Sequence, residues 1–229
     1  MNNDLLDDQK ASRKSSLFTK LIVWFSLISL LPVILVSFIS YNQAKTSLKQ
    51  AAVNELEHAS SLTVRYIRDW FDYRFTDLLS HANDLHYKEL FSSLVEGFEY
   101  SNQPLMEYVY SYEWASRVDS YQSSLINLSK NYEYVYDIFL IDMHGNILFT
   151  VEHEADFGTN LFTGPFSNTL FSKTAQKSLQ SDKLLFSDLE AYEPSAGRID
   201  GFIITPIKNE YSEQIGLMAI QVRMDDIYN

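Results

Sequence analysis

The chain has 229 residues, 46% of them apolar, and it carries 30 Asp and Glu residues against 18 Lys and Arg. This acidic balance argues against a nucleic-acid partner, because phosphate binding requires clustered Lys and Arg. The apolar content is sufficient for a hydrophobic core. Cysteine is absent, which excludes structural disulfides and thiolate chemistry and is compatible with either side of a membrane.

The first predicted element is a membrane-spanning helix at residues 21–41. Its sequence, LIVWFSLISLLPVILVSFISY, has no charged residue and is long enough to cross about 30 Å of hydrocarbon. A buried core helix is the alternative. The stretch exceeds the roughly 7–15 apolar residues of a cleaved signal peptide and lacks a good cleavage site, so we interpret it as an uncleaved signal anchor.

Basic residues flank this span unequally. Four lie on its N-terminal side and only two lie close on its C-terminal side. The positive-inside rule therefore predicts a cytoplasmic tail at residues 1–20 and places the remainder of the chain outside the membrane. The flanking basic residues are Lys10, Arg13, Lys14 and Lys20 before the span, and Lys45 and Lys49 after it.

Residues 42–131 are predicted to be helical. No helix-breaking residue lies between Pro32 and Gly97, which predicts a long helix continuous with the span, and the stretch 97–104 (GFEYSNQP) then predicts a turn. Apolar residues recur at steps of three and four along the long helix. This stripe packs either against its own domain or against a second copy in a homodimer. Its main members are Leu48, Leu56, Tyr66 and Trp70.

From residue 132 the apolar pattern changes to that of strands, which indicates a separate module over 132–229. Two strands, 135–142 and 146–152, are predicted to pair as a hairpin through Met-His-Gly. A helix is predicted from Gly164, with a proline at its start. Further strands are predicted at 184–186, 198–207 and 214–224. The predicted fold class is α+β, an antiparallel sheet of about five strands with helices packed on one face.

Catalytic signatures are missing from the sequence. It has no P-loop, no G-x-S-x-G and no dinucleotide-binding fingerprint. The kinase-like tripeptide Asp156-Phe157-Gly158 has none of its usual companions and is interpreted as a chance match. Whether the protein is an enzyme stays open, and no cofactor or metal is predicted. One group of residues could in principle bind a metal, but exposure on the solvated rim of the hairpin explains these residues better. That group is His144, Glu152, His153 and Glu154.

Polar residues inside apolar strands are the candidate ligand contacts. Burying an unpaired polar group costs about 1–3 kcal/mol, so each such residue requires a partner. Alternation places Asp137 on one face of its strand with Phe139, and Gln221 on one face of the last strand. Apolar walls with a few polar groups are typical of small-molecule sites; exposure at strand ends is the alternative. The candidates are Asp137, Phe139, Tyr192, Phe202, Thr205 and Gln221.

An ordered series of short segments resembles the Cache sensor domains of bacterial transmembrane receptors over about residues 42–229. The series consists of Tyr-Asp-Ile-Phe-Leu-Ile-Asp, Gly-Asn-Ile-Leu-Phe-Thr-Val, Asp-Phe-Gly-Thr-Asn-Leu, Gly-Pro-Phe, Leu-Glu-Ala-Tyr-Glu-Pro-Ser, Gly-Phe-Ile-Ile-Thr-Pro-Ile and Ile-Gly-Leu-Met-Ala-Ile-Gln-Val. The resemblance implies a PAS-like sheet outside the membrane and a small ligand on its concave face. The motif of amino-acid-binding Cache domains, an Arg and aromatic cluster followed by an Asp on a strand, is not matched convincingly.

The resemblance also implies a second membrane span and a cytoplasmic output domain. Because the sequence stops before these, we expect it to be a truncated part of a longer receptor. The favoured function is the input region of a chemoreceptor-like protein in the bacterial inner membrane, with most of the chain in the periplasm. The alternatives are the input region of a histidine kinase or diguanylate cyclase, and a membrane-anchored binding protein without output. If the chain is part of a receptor, Asp137 either holds the sheet to the long helix or contacts the ligand.

Overall fold

The computed structural model describes residues 17–223, except for the side chains of eight residues between 120 and 131. The chain divides into two compact units, Met1–Val64 and Arg65–Asn229. Most of the predicted cytoplasmic tail and the predicted end of the last strand, at residue 224, lie outside the described residues.

The first unit consists, where the structure describes it, of the N-terminal part of one helix. This helix, α1, runs over Leu17–Asn83 and includes Pro32 without a break. Within it lies a segment long and apolar enough to cross a membrane, and the large apolar side chains of that segment are exposed in the isolated chain. The segment coincides with the predicted span at 21–41.

The second unit contains three further helices before the sheet: α2 (Leu85–Ser101), α3 (Leu105–Val109) and α4 (Tyr112–Asn131). The prediction of an uninterrupted helix up to Gly97 is wrong, because α1 ends at Asn83. Asp84 has extended backbone there, and its carboxylate accepts the His86 N–H as the N-cap of α2.

Gly97 lies inside α2 and does not form the predicted turn. A β-carbon at this position would collide with the Tyr108 hydroxyl and the Arg117 guanidinium, so glycine allows α2 to pack closely against α3 and α4. The chain turns instead at Asn102, which adopts the left-handed conformation at the end of α2 with φ of 51°.

A five-stranded sheet forms the centre of the second unit. Its strand order is β2-β1-β5-β4-β3, and each pair of neighbours is antiparallel. The sheet confirms the predicted α+β class. The remaining elements are β1 (Val135–Asp142), β2 (Ile147–Thr150), α5 (Leu170–Ser181), β3 (Leu185–Tyr192), β4 (Arg198–Lys208) and β5 (Gln214–Val222).

Each face of the sheet has its own hydrophobic core. In β1, alternation sends Ile138 and Leu140 to the face covered by α1–α4, and Phe139 and Ile141 to the face covered by α5. Helices α1–α4 lie on one face of the sheet, as predicted. Helix α5 covers the other face, which the prediction did not include. Residues from both sides of the predicted boundary at 131 share the first core.

The predicted apolar stripe of α1 divides into buried and exposed members. Trp70 is 5% exposed and packs edge-on against Tyr134, with ring centroids 6.3 Å apart. Tyr66 is 61% exposed, and Leu48 and Leu56, which belong to the first unit, are 72% and 71% exposed. Packing within the domain thus accounts for Trp70, and a homodimer contact through the exposed members stays a prediction.

Candidate ligand-binding site

Five of the six predicted ligand contacts share the sheet face that α5 covers. Asp137 lies opposite Gln221 in the β1–β5 pair, and Gln221 lies opposite Phe202 in the β4–β5 pair. Phe139 is two residues beyond Asp137 on the same face. Cross-strand neighbours on one face have their β-carbons about 5 Å apart, so these side chains form one group.

Tyr192 joins this group and Thr205 does not. The Tyr192 ring packs edge-on against Phe202, with centroids 4.8 Å apart. Thr205 is three residues from Phe202 on the same strand, and strand alternation therefore turns it to the opposite face, together with Ile203 and Ile207. Thr205 is buried there, so the grouping of Thr205 with the other candidates is corrected.

The apolar part of this face is filled by aromatic side chains. The ring of Phe171, from α5, stacks on Phe202 with centroids 3.9 Å apart and an angle of 8° between the planes. Phe139 contacts both rings edge-on, at 5.2 and 5.9 Å. These aromatic side chains fill their part of the face. A ligand can therefore contact this face only at its polar end, where Asp137 and Gln221 lie.

Asp137 is a fully buried carboxyl group that uses its two oxygens unequally. Its Oδ1 accepts the N–H groups of Ile138 at 2.7 Å, Val151 at 2.7 Å and Glu152 at 3.1 Å. Its Oδ2 has no partner among the described residues. Burial raises the pKa of Asp137 well above its usual value, and the three N–H groups offset part of this rise. Asp137 therefore holds the segment after β2. The sequence had suggested, as one of two roles, that it holds the sheet to the long helix instead.

Gln221 is oriented by a neighbouring carboxylate on β4. Its Nε2 donates to Asp200 Oδ2 at 2.7 Å and to Ser195 Oγ at 2.8 Å. Asp200 Oδ2 also accepts from Arg198 Nε at 2.7 Å. An ionised carboxylate only accepts hydrogen bonds, so the amide nitrogen must face Asp200. The Gln221 Oε1 atom consequently points away from Asp200, buried and without a partner within the described chain.

Asp156 supplies a second buried carboxyl group to the same end of the sheet. The Tyr192 hydroxyl donates to Asp156 Oδ2 at 2.6 Å, whereas Oδ1 has no partner in the described part of the structure. Burial raises the pKa of Asp156 to about 6, and the hydrogen bond from Tyr192 opposes the rise. Burial and the adjacent Asp156 carboxyl raise the pKa of the Tyr192 hydroxyl as well. The tripeptide interpreted as a chance kinase match thus contributes a site residue.

A β-bulge positions the rim of the site. Val135 pairs with Val222 and Asp137 pairs with Gln221, so Tyr136 is the extra residue on β1. Its hydroxyl donates to Glu154 Oε1 at 2.6 Å, and Glu154 Oε2 accepts from the Ser195 hydroxyl at 2.5 Å. The Arg198 guanidinium lies 3.5 Å above the Tyr136 ring, while its Nη2 is buried and has no partner among the described residues.

These contacts define a polar cluster, which comprises Asp137, Asp156, Tyr192, Arg198, Asp200 and Gln221. Its unpaired atoms are three oxygens, on Asp137, Asp156 and Gln221, and one nitrogen, on Arg198. Such an arrangement can bind a small polar molecule that carries several hydrogen-bond donors and one acceptor.

A cavity of about 670 Å³ is lined by neighbours of the polar cluster and by none of its six members. Its wall includes Tyr136, the rim residue, and both Val151 and Glu152, whose backbone N–H groups bind Asp137. Arg223 is exposed and also lines this cavity. The volume lies within the range of small-molecule pockets.

The four residues considered as a possible metal-binding group do not come together as one. Within residues 17–223, no three His, Asp or Glu side chains are placed to hold a metal ion. His153 instead stacks on the Phe157 ring, with centroids 4.5 Å apart and an angle of 9°, and burial lowers its pKa. Glu154 belongs to the rim described above.

The sequence matches no family model and no curated protein, but solved structures share its fold. The sensor domain of the V. cholerae histidine kinase DctB is 16% identical, with a TM-score of 0.53 over 78% of this chain and 58% of that domain. The ligand-binding domain of the Pseudomonas fluorescens chemoreceptor CtaA, solved with L-serine, is 14% identical, with a TM-score of 0.47 over 76% and 60%. That of the Pseudomonas aeruginosa PAO1 chemoreceptor PctC, solved with GABA, is 14% identical, with a TM-score of 0.46 over 76% and 62%.

The likeness to the DctB sensor domain shows that this chain has a sensor-domain fold. The predicted PAS-like fold is thereby confirmed. The chain spans less than two thirds of the length of each of these three domains.

Proposed function

We propose that this chain is the small-molecule-sensing input region of a bacterial transmembrane receptor. The observation that carries the proposal is the polar cluster, which has four unpaired buried atoms at one end of the sheet. The chain that contains this cluster has a sensor-domain fold. Unpaired buried polar groups cost about 1–3 kcal/mol each, and a ligand that pairs with them recovers this free energy on binding.

The chemistry of the unpaired atoms indicates the kind of ligand. Asp156 Oδ1 and Gln221 Oε1 accept hydrogen bonds, Asp137 Oδ2 accepts or, when protonated, donates one, and Arg198 Nη2 donates. A small polar metabolite with N–H or O–H groups fits this set, whereas a nucleic acid does not, since the chain is acidic overall.

The segment after β2 is the element through which a ligand would change the domain. Asp137 holds Val151 and Glu152 through Oδ1, and Asp156 holds β3 through Tyr192. A ligand that binds the free oxygens of the same carboxyl groups favours one position of this segment over another. Only such a difference in affinity between two states can transmit a signal.

The membrane arrangement forms part of the proposal. We infer that α1 anchors the chain in the bacterial cytoplasmic membrane, with its N-terminus inside and the sheet in the periplasm, because basic residues are more numerous before the apolar segment. A chemoreceptor output is the favoured partner domain, and a homodimer through the exposed face of α1 fits the same arrangement. A histidine kinase or diguanylate cyclase output is the alternative, as is an anchored binding protein without output.

Thermal unfolding of the full chain in detergent micelles, in the presence of a library of small polar metabolites, tests ligand binding. A ligand at 100 times its dissociation constant stabilises the fold by about 2.7 kcal/mol, which a melting shift detects. The variant Asp137→Asn should lose the shift while it stays folded. The three N–H groups keep the amide oxygen in the Oδ1 position, so Oδ2 is replaced by an NH2 group, which cannot accept a hydrogen bond.

Thr205→Val is the matched control, because Thr205 is buried on the opposite face of the same sheet. It should leave the ligand-induced shift unchanged. A library without any stabilising compound, or a shift that Asp137→Asn retains in full, contradicts the assignment of the site. The coding sequence that follows the codon for Asn229 distinguishes the three alternatives: a chemoreceptor, a histidine kinase or diguanylate cyclase, and a binding protein without output.

A further inference from the structure

The polar cluster contains two buried carboxyl groups and more acceptors than donors. Asp137 and Asp156 each have one oxygen without a partner, and the fixed amide of Gln221 adds a third unpaired oxygen. The two carboxyl groups are close enough that the charge of Asp156 opposes ionisation of Asp137. Two buried like charges of this kind are unfavourable unless a cation or a proton compensates them.

No cation in the described part of the chain compensates this pair. The Arg198 guanidinium is bound to Asp200 and lies over the Tyr136 ring. From α5, which covers this face, the only basic side chains are Lys173 and Lys177, and both are exposed. The other charged or titratable groups near the cluster are Tyr136, Glu154, Glu190, Tyr192 and Asp200. His153 stacks on Phe157 beside Asp156, and Lys130 and Arg223 are exposed on the wall of the neighbouring cavity, so none of these three forms an ion pair with either carboxyl group.

A proton resolves the arrangement in a way that a buried water molecule cannot. A protonated carboxyl group becomes an O–H donor, so it pairs with one unpaired oxygen and removes one negative charge at the same time. A water molecule supplies donors but leaves both charges in place. The orientation of Gln221 excludes its amide as the donor, since Nε2 is held by Asp200 and Ser195.

We propose that Asp137 and Asp156 form a proton-binding site that makes this domain sensitive to acidity. In the unliganded domain a proton compensates one of the two buried negative charges, and Asp156 takes up a proton as the pH falls. The inference goes beyond small-molecule sensing and does not depend on the identity, or the existence, of an organic ligand.

The direction of the pH effect follows from the folded and unfolded states of Asp156. Its pKa is about 6 in the folded chain, against 3.8 for an unperturbed group. The folded state therefore binds the proton more tightly, and the resulting stabilisation is complete below pH 4 and is lost as the pH rises through 6. Protonation of Asp156 neutralises one of the two buried charges and weakens the hydrogen bond from Tyr192, which favours the ionised form, so the tie between the segment after β2 and β3 depends on pH.

Carboxyl NMR of the full chain in detergent micelles, labelled with 13C at Asp and studied without ligand, tests the proposal directly. Between pH 4 and pH 8, one buried Asp resonance should titrate with a midpoint near 6, and this resonance should be absent from Asp156→Asn. The Asp137 resonance should titrate at a higher pH than that of an unperturbed Asp, because burial raises its pKa. Tyr192→Phe should move the Asp156 midpoint upwards, because the lost hydrogen bond favours the ionised form.

Thermal unfolding provides the second measurement. The melting temperature of the wild-type chain should fall between pH 5 and pH 7, and Asp156→Asn should remove most of this fall. Glu210→Gln, an exposed residue between β4 and β5, should retain it. The two histidines with lowered pKa, His81 and His153, act in the opposite direction, since their stabilisation is lost as the pH falls.

The outcomes separate this inference from the proposed function. If both carboxyl groups titrate below pH 4.5, or if Asp156→Asn keeps the full pH dependence of melting, the proton-binding site is disproved even where a metabolite binds. A midpoint near 6 in a protein that binds no metabolite supports the proton site and contradicts small-molecule sensing. The titration of the wild-type chain and of Tyr192→Phe decides the matter if Asp156→Asn does not fold.

Discussion

Among single residues, Asp137 combines a structural oxygen and a ligand-facing oxygen on one carboxyl group. Oδ1 collects three backbone N–H groups, from Ile138, Val151 and Glu152, and Oδ2 is buried without a partner among the described residues. The sequence left two roles open for this residue, a tie within the fold and a ligand contact. The geometry assigns the tie to one oxygen and leaves the other oxygen available for a ligand.

The two substitutions Asp137→Ala and Asp137→Asn should therefore differ in their effect on stability. Alanine leaves three buried N–H groups without an acceptor, and we expect a loss of about 3 kcal/mol in the free energy of unfolding. Asparagine keeps an oxygen in the Oδ1 position and should change stability by less than about 1 kcal/mol. Denaturant unfolding of the full chain in micelles measures both values, and equal losses would contradict a role for Oδ1 as the tie.

The sequence pointed to part of the site because alternation along a strand is a local property. Asp137 and Gln221 are polar residues on otherwise apolar strand faces, and the same argument applied to β4 would have added Asp200, two residues before Phe202. Asp156 and Ser195 lie outside the strands. Their positions depend on the paths of two connecting segments, which no local pattern in the sequence specifies.

At the scale of the elements, the apolar stripe of α1 shows how one helix can serve two environments. Trp70 lies in the core beneath the sheet, where the Arg74 guanidinium is held between its ring at 4.1 Å and the Tyr134 ring at 4.4 Å. Tyr66, one helical turn earlier, is exposed. Spacing alone could not separate the two, because both satisfy the same helical period.

A matched pair of substitutions tests this division. Trp70→Ala removes a large buried side chain and should lower the free energy of unfolding by about 3–5 kcal/mol. Tyr66→Ala should leave unfolding unchanged and should weaken association if the exposed part of the stripe forms a homodimer. Thermal unfolding and sedimentation of the full chain in micelles measure the two effects. An unchanged melting temperature for Trp70→Ala would contradict its place in the core.

Strands were easier to predict than the ends of helices in this chain. The pattern from 135 to 142 coincides with β1, whereas the predicted 184–186 covers only the start of β3. In β3 a bulge between Phe186 and Leu189 interrupts the alternation. The predicted start of α5 at Gly164 is early for a similar reason. The helix begins at Leu170, after the cap at Thr169, and the Glu190 carboxylate from β3 accepts its first two N–H groups at 2.8 Å. That tertiary contact has no local sequence signal.

For the whole molecule, the central question is how the sheet is placed relative to the membrane. A sensor of external metabolites or acidity requires the second unit, Arg65–Asn229, to lie outside the cytoplasm. We propose this placement because Lys and Arg, which prefer the cytoplasmic side of a membrane, are more numerous before the apolar segment of α1 than close after it.

Reporter fusions test the proposed topology. Alkaline phosphatase fused after Asn229 should be active in a bacterial host, because the enzyme matures only outside the cytoplasm, and a cytoplasmic reporter at the same point should be inactive. Neutral substitutions at Lys10, Arg13, Lys14 and Lys20 should reduce phosphatase activity, since they remove the charge difference that orients the helix. Neutral substitutions at Lys45 and Lys49 are the control and should leave it unchanged or raise it. An inactive phosphatase together with an active cytoplasmic reporter would place the polar cluster inside the cell and would overturn both the topology and the proposal of extracytoplasmic sensing.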